Sequence, residues 1–194
     1  MGLNSAPNNN ATIRPLASAP TPIGILPYFT QHTEQIALQV REHKMSFSGD
    51  DFTVKDAVSG HVMFQIDGSA FSFRGEKTIL DARGKPLFQI RRKMLAVHST
   101  FIGTDILSEQ PLFQVKSGWS WGRKLTTTFT NVAGDGKETE LILRGSILDR
   151  KAEITTTTGV TVARISRQFM NAGEMICQST SLARTADTFP VNPH

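Results

Sequence analysis

Apolar and polar residues alternate along most of this chain in short runs, and three of the runs copy one another: Met63-Phe64-Gln65-Ile66, Leu87-Phe88-Gln89-Ile90 and Leu112-Phe113-Gln114-Val115. Their phenylalanines are 24 and then 25 residues apart, and a weaker echo, Val162-Ala163-Arg164-Ile165, follows two periods later. Each copy is a strand core with apolar residues on both sides of a Gln. Before each stands another strand-like run and a turn closed by Gly60, Gly84 or Pro111. A strand–turn–strand unit recurring at this period predicts a meandering all-β fold.

The same pattern continues on both sides of the repeats. Ile36, Leu38 and Val40 alternate with polar neighbours, a period of two. Short strands are predicted at 45–47, 52–55, 62–68, 70–73 and 78–80, the last leading into the hairpin turn 81–85, with Gly84 at the positive-φ position. Residues 87–90 and 95–98 read as strands flanking Arg91, Arg92 and Lys93, and 104–107 and 112–115 as two more. Further strands are expected at 125–130, 139–143, 146–148, 152–156 and 160–166. No long amphipathic helix is visible. The sum is an antiparallel sandwich or barrel spanning 34–175. Ahead of it, residues 1–33 hold Pro7, Pro15, Pro20, Pro22 and Pro27 among small polar residues, and are expected to be disordered or draped over the domain.

Charge adds little. The formal net charge is +4, and each end of the chain contributes one Arg and one acid, so the whole excess lies between residues 35 and 175. That suits an anionic partner without requiring one. The single cysteine, Cys177, excludes an internal disulfide and fits a reducing, cytoplasmic setting. There is no signal-peptide core, no transmembrane segment, and Ala6 stands where a myristoylation motif wants Ser or Thr.

Catalytic chemistry has no foothold here. His32, His43, His61, His98 and His194 stand singly, outside any metal-ligand spacing, and no nucleophile elbow or phosphate loop occurs. No enzyme activity, metal or cofactor is expected. Asp50 and Asp51 read as a turn rather than a calcium pair. Two basic clusters are the candidate ligand-binding residues. Strand alternation sends Arg91 and Lys93 to one face and Arg92 to the other, where two cations on one side could meet a phosphate. Arg123 and Lys124 adjoin Trp119 and Trp121, a basic–aromatic pairing used at membrane interfaces and stacked nucleotides. Exposed strand charge and buried Trp are the plain alternatives.

The run 45–56, then 62–68, then 77–88, then Arg91-Arg92-Lys93, with 150–154 and 162–169 in the same order, resembles the LURP-one-related family over about residues 35–175. The resemblance implies a Tubby C-terminal-like fold: a closed twelve-stranded antiparallel barrel threaded by one apolar C-terminal helix. In such a barrel the apolar residues flanking each Gln point inward. Phospholipid scramblases are thought to share the fold, and Tubby proteins bind phosphoinositides with it. The family carries no assigned catalytic residues, so no site transfers residue by residue. From Ile176 on, the sequence departs from the family pattern, and the central helix looks missing. Residues 176–194 then form a divergent tail, as in a truncated or mis-spliced product.

The implied function is a non-enzymatic barrel, cytoplasmic or peripheral at a membrane, that binds an acidic phospholipid or a protein partner. Two alternatives are a scramblase-like protein and a nucleic-acid-associated regulator. The cysteine-rich run and apolar anchor of scramblases are absent here, and nucleic acid would call for a stronger basic stripe.

Overall fold

In a computed structural model, the chain forms twelve strands: β1 Gln35–Glu42, β2 Phe52–Asp56, β3 Val62–Gly68, β4 Lys77–Asp81, β5 Pro86–Arg92, β6 Thr100–Asp105, β7 Pro111–Ser117, β8 Lys124–Thr130, β9 Glu138–Ser146, β10 Lys151–Thr156, β11 Thr161–Ser166 and β12 Glu174–Thr180. The structure describes Leu16, Ala19 and residues 21–30, 35–42, 51–68, 75–118, 124–146, 151–166 and 174–180. Every strand pairs antiparallel with the next in sequence, and β12 returns to pair with β1, closing the sheet into a barrel. The three phenylalanine copies lie in β3, β5 and β7, which run in the same direction, so the repeat is a hairpin that recurs. Closure removes both sheet edges, which an open meander would leave unpaired.

Register shows which face is apolar. Val40 stands opposite Val54, Val54 opposite Phe64, Ile66 opposite Ile79, and Ile79 opposite Phe88. Directly opposed residues share a face, so this series is one continuous apolar lining, on the inner side of a closed barrel. Its best-buried members among the described residues are Val54, Ile79, Phe129, Ala152 and Ala163. In the same lining, Gly103 lets the ring of Phe113 lie flat over β6, where a Cβ would collide with it. The Phe113 ring thereby reaches Phe88 edge-on, centroids 5.5 Å apart.

The barrel has two unlike ends. At one, five short hairpin turns join β2–β3, β4–β5, β6–β7, β8–β9 and β10–β11. Their backbones are tied down by side-chain oxygens: Asp81 Oδ1 accepts from the amides of Arg83 and Lys85, both 2.8 Å. Gly84 takes φ 80° as its turn requires, and Glu109 takes the equivalent left-handed conformation at φ 56°, which is strained for a residue with a Cβ. A strap of N-terminal chain crosses this end. Asn131 is 2% exposed and holds the strap from both sides, its Oδ1 accepting from Gly24 N (2.9 Å) and its Nδ2 donating to Pro22 O (2.8 Å). A 3₁₀ turn, Pro27–Thr30, then sets Phe29 against Phe64 with centroids 5.0 Å apart. At the other end the connections β1–β2, β3–β4, β5–β6 and β7–β8 run to between six and nine residues, and β9–β10 to four.

Three expectations from the sequence change. Residues 95–98 are not a strand but part of a loop, 94–98, and the strand expected at 104–107 is β6, Thr100–Asp105, with 106–107 already in the turn. Leu95 and Val97 do alternate with their neighbours, but they are 99% and 95% exposed, and no strand covers them. The barrel also continues past residue 175: Ile176 pairs with Gln39 and Thr180 with Gln35, so the tail begins as the closing strand. Expected strands at 45–47 and 70–73, the two tryptophans, Arg123, and the segment bearing on a central helix after Thr180 lie outside the described residues.

Candidate functional site

The candidate cations sit at the long-loop end. Arg91 and Arg92 are the last residues of β5. Arg91 stands opposite Ile102, and Arg92 opposite Phe101. Phe101 shares the register of the apolar lining through Gly103, so Arg91 belongs to the outer face and Arg92 to the rim of the inner one. Lys93 follows, its amide donating to Thr100 O at 2.8 Å. Lys124 opens β8 on the far side of the β7–β8 connection, and its carbonyl accepts from Gly118 N at 2.9 Å.

The barrel wall adds two cations that sequence reasoning left out. Lys116 stands opposite Thr100 on one side and Thr126 on the other. It therefore lies level with Lys93, two strands away. Arg144 stands directly opposite Lys124. Arg91, Lys116, Lys124 and Arg144 thus form an outer row near one rim, spanning β5 to β9, about 19 Å of wall at the usual strand spacing. A signal for Lys116 was present in the repeat: the position two after each Gln reads Asp67, Arg91, Lys116. Arg144 had none, because its place depends on register.

Among the described residues the row has no carboxylate partner. Lys124 and Arg144 put like charges at facing cross-strand positions, an arrangement that destabilises a sheet. The carboxylate opposite Arg144 belongs to Glu153, and it is taken by Arg164, Nε to Oε1 3.0 Å. Arg91, Lys93, Lys116, Lys124 and Arg144 make no ion pair with another described residue. Lys93, Lys116, Lys124 and Arg144 are exposed, and Arg91 is half-buried. Such a surface can bind an extended anion by charge. Acid–base catalysis is not supported by it, and among the described residues no cluster of His, Cys, Asp and Glu could hold a metal.

A second concave feature lies at the opposite end, beneath the strap. This cavity of about 810 Å³ is lined by Tyr28, Phe29, Met63 and Leu87, with Arg83 and Lys85 at its margin. Of the segment expected to drape over the domain, Leu26, Pro27, Tyr28 and Phe29 line this cavity.

The family model described as LURP-one-related matches residues 36–187. Among curated proteins, the chain is similar to protein LURP-one-related 12 of Arabidopsis thaliana, 29% identical over 142 residues, covering 71% of this chain and 63% of that protein. It is also similar to protein LURP-one-related 15 of the same plant, 24% identical, covering 61% of this chain and 56% of that one. The chain thus spans less than two thirds of the length of these relatives. Among solved structures it resembles the X-ray structure of a protein from Arabidopsis thaliana, with a TM-score of 0.56 at 16% identity, over 82% of this chain and 90% of that one. That likeness speaks to the fold alone. No helix among the described residues is long and apolar enough to cross a membrane.

Proposed function

The chain belongs to the LURP-one-related family, and from that premise we propose that it is a non-enzymatic barrel of the Tubby C-terminal-like kind that binds the anionic surface of a phospholipid membrane. The observation that carries this reading is the outer row of cations at one rim. Lys124 and Arg144, which face one another and pair with no described carboxylate, cost stability in the free protein. Anionic headgroups would relieve that repulsion. Each basic residue held at such a surface contributes about 1 kcal/mol, so a row of four, with Arg92 and Lys93 beside it, suffices for peripheral attachment. In the bounded space of a cytoplasmic leaflet this attachment would be reversible and salt-sensitive.

Vesicle flotation tests it. Recovery with phosphatidylserine or phosphoinositide vesicles at low salt, and not with phosphatidylcholine alone, is the expected result. Equal recovery from neutral and acidic vesicles overturns the reading. Combining Arg91→Gln, Lys116→Gln and Lys124→Gln is expected to weaken acidic-vesicle binding about a hundredfold. The pair Arg83→Gln and Lys85→Gln, at the other end, should leave it nearly unchanged.

Binding of a protein partner is the second reading. What favours it is the cavity under the strap, where the Tyr28 side chain stands 77% exposed above an apolar floor.

A further inference from the structure

The loop between β5 and β6 combines an exposed apolar tip with a basic run at its base. The sheet ladder closes at Lys93 N to Thr100 O (2.8 Å) and Ser117 N to Ser99 O (3.0 Å), and residues 94–98 project beyond that closure. Within the projection, Met94 is 69% exposed, Leu95 99% and Val97 95%. Scattered apolar residues on a surface are ordinary, but three within four positions at a loop tip form a patch. Behind the tip stand Arg91, Arg92 and Lys93, with Lys116 one hairpin away.

We propose that this loop is a membrane-inserting prong: Leu95 and Val97 enter the boundary between headgroups and acyl chains of an anionic bilayer, while the cations behind them hold the headgroups. The proposal rests on the lipid reading above and adds which element enters and how the barrel is oriented. The order of chemistry along the prong supports it. An anionic bilayer presents charge first and hydrocarbon beneath, and a loop with an apolar tip and a basic base matches that order in depth. A protein partner would need an apolar socket ringed with acids to do the same.

The other end gives an internal contrast. Val58 and Leu107 are also hairpin tips, 86% and 95% exposed. They stand beside Asp56 and Asp105, whose carboxylates would be repelled by an acidic surface. The sign of the neighbouring charge therefore sets the loop 94–98 apart from these two hairpin tips; Tyr28, the exposed apolar residue near Arg83 and Lys85, belongs to the strap and not to a projecting tip.

The test uses the full chain with Cys177→Ala and a nitrobenzoxadiazole label at Leu95→Cys, mixed with phosphatidylcholine vesicles containing phosphatidylserine. The expected result is a blue-shifted emission that is quenched by doxyl-labelled lipid, while the same label at Leu107→Cys is unaffected. Independently, and without the cysteine replacement, Leu95→Ser with Val97→Ser should weaken acidic-vesicle binding about tenfold or more, with an unchanged melting curve, since neither side chain packs on anything. If the protein binds acidic vesicles but the Leu95 label stays aqueous and unquenched, or the double serine variant binds as well as the wild type, the prong is overturned and the electrostatic reading stands, with the loop left to a protein partner. If no acidic vesicle is bound at all, the lipid reading fails and the prong with it.

Discussion

At the hairpin end of the barrel, Asp56, Asp81, Asp105 and Asp135 each accept hydrogen bonds from backbone amides of their own turns. At the loop end, Arg91, Lys93, Lys116, Lys124 and Arg144 pair with no described carboxylate. One end uses its charge to hold its own shape, and the other leaves its charge facing outward. The hairpin end is also the one crossed by the N-terminal strap and fastened through buried Asn131. The comparison teaches that a barrel with a uniform wall can still have unlike rims: at one the carboxylates are engaged by their own turns, although Arg83 and Lys85 there pair with no described carboxylate either, and at the other a longer row of cations stands along the wall.

Three experiments bear on that division. The largest expected effect is Asn131→Ala, which strips partners from Gly24 N and Pro22 O and leaves both in a poorly hydrated site. A loss of about 1–3 kcal/mol is expected in urea denaturation, with acidic-vesicle binding retained by the folded fraction. Loss of vesicle binding in a still-folded variant would show that the rims are not independent. Next comes Lys124→Glu, which converts the facing pair with Arg144 from repulsive to attractive. It should raise stability by about 0.5 kcal/mol and at the same time weaken vesicle binding, a trade that is expected where surface charge serves a partner. Stability and binding falling together would instead give Lys124 a structural role. The smallest effect belongs to acid. The Ser59 amide, then that of Val58, holds the Asp56 carboxyl below its ordinary value. The Ser108 amide and hydroxyl do the same for Asp105. A depressed folded pKa contributes stability that is present above the unfolded value, near 3.9, and is lost as pH falls through the folded one. Protection of the amides of Val58, Ser59, Leu107 and Ser108, taken relative to their intrinsic exchange rate at each pH, should therefore hold at pH 5 and fall only on acidification below about 4. Protection that does not change on acidification would remove these carboxylates as the turn's anchors.

Much of the fold was legible in the sequence because the repeat records it. Phe64, Phe88 and Phe113 mark β3, β5 and β7, and Gly84 marks its turn by a conformation few other residues accept. Leu95 and Val97 misled for a specific reason. Alternation reports that apolar residues recur every second position, but what covers them depends on another part of the chain. The two residues look like a strand and behave as a tip. Closure was legible only through the family resemblance and not in the strand pattern, since the pairing of β1 with β12 joins segments far apart in the chain, and nothing local in 174–180 announces its partner. The basic row was half legible. Arg91, Arg92, Lys93 and Lys124 stand out as runs, whereas Lys116 and Arg144 are single cations that matter only because the wall's register brings them alongside.

The closing contact between β1 and β12 also sets an order in time. β1 is made early, and one of its two neighbours is the last strand of the barrel, with Gln35 facing Thr180. Hairpins can form one after another as the chain leaves the ribosome, but the ring waits for its final stave. Until then β1 and β11 each carry an open row of amides and carbonyls, ready to pair with any other nascent strand. The barrel is therefore most vulnerable to misassembly in the interval between the emergence of β11 and that of β12.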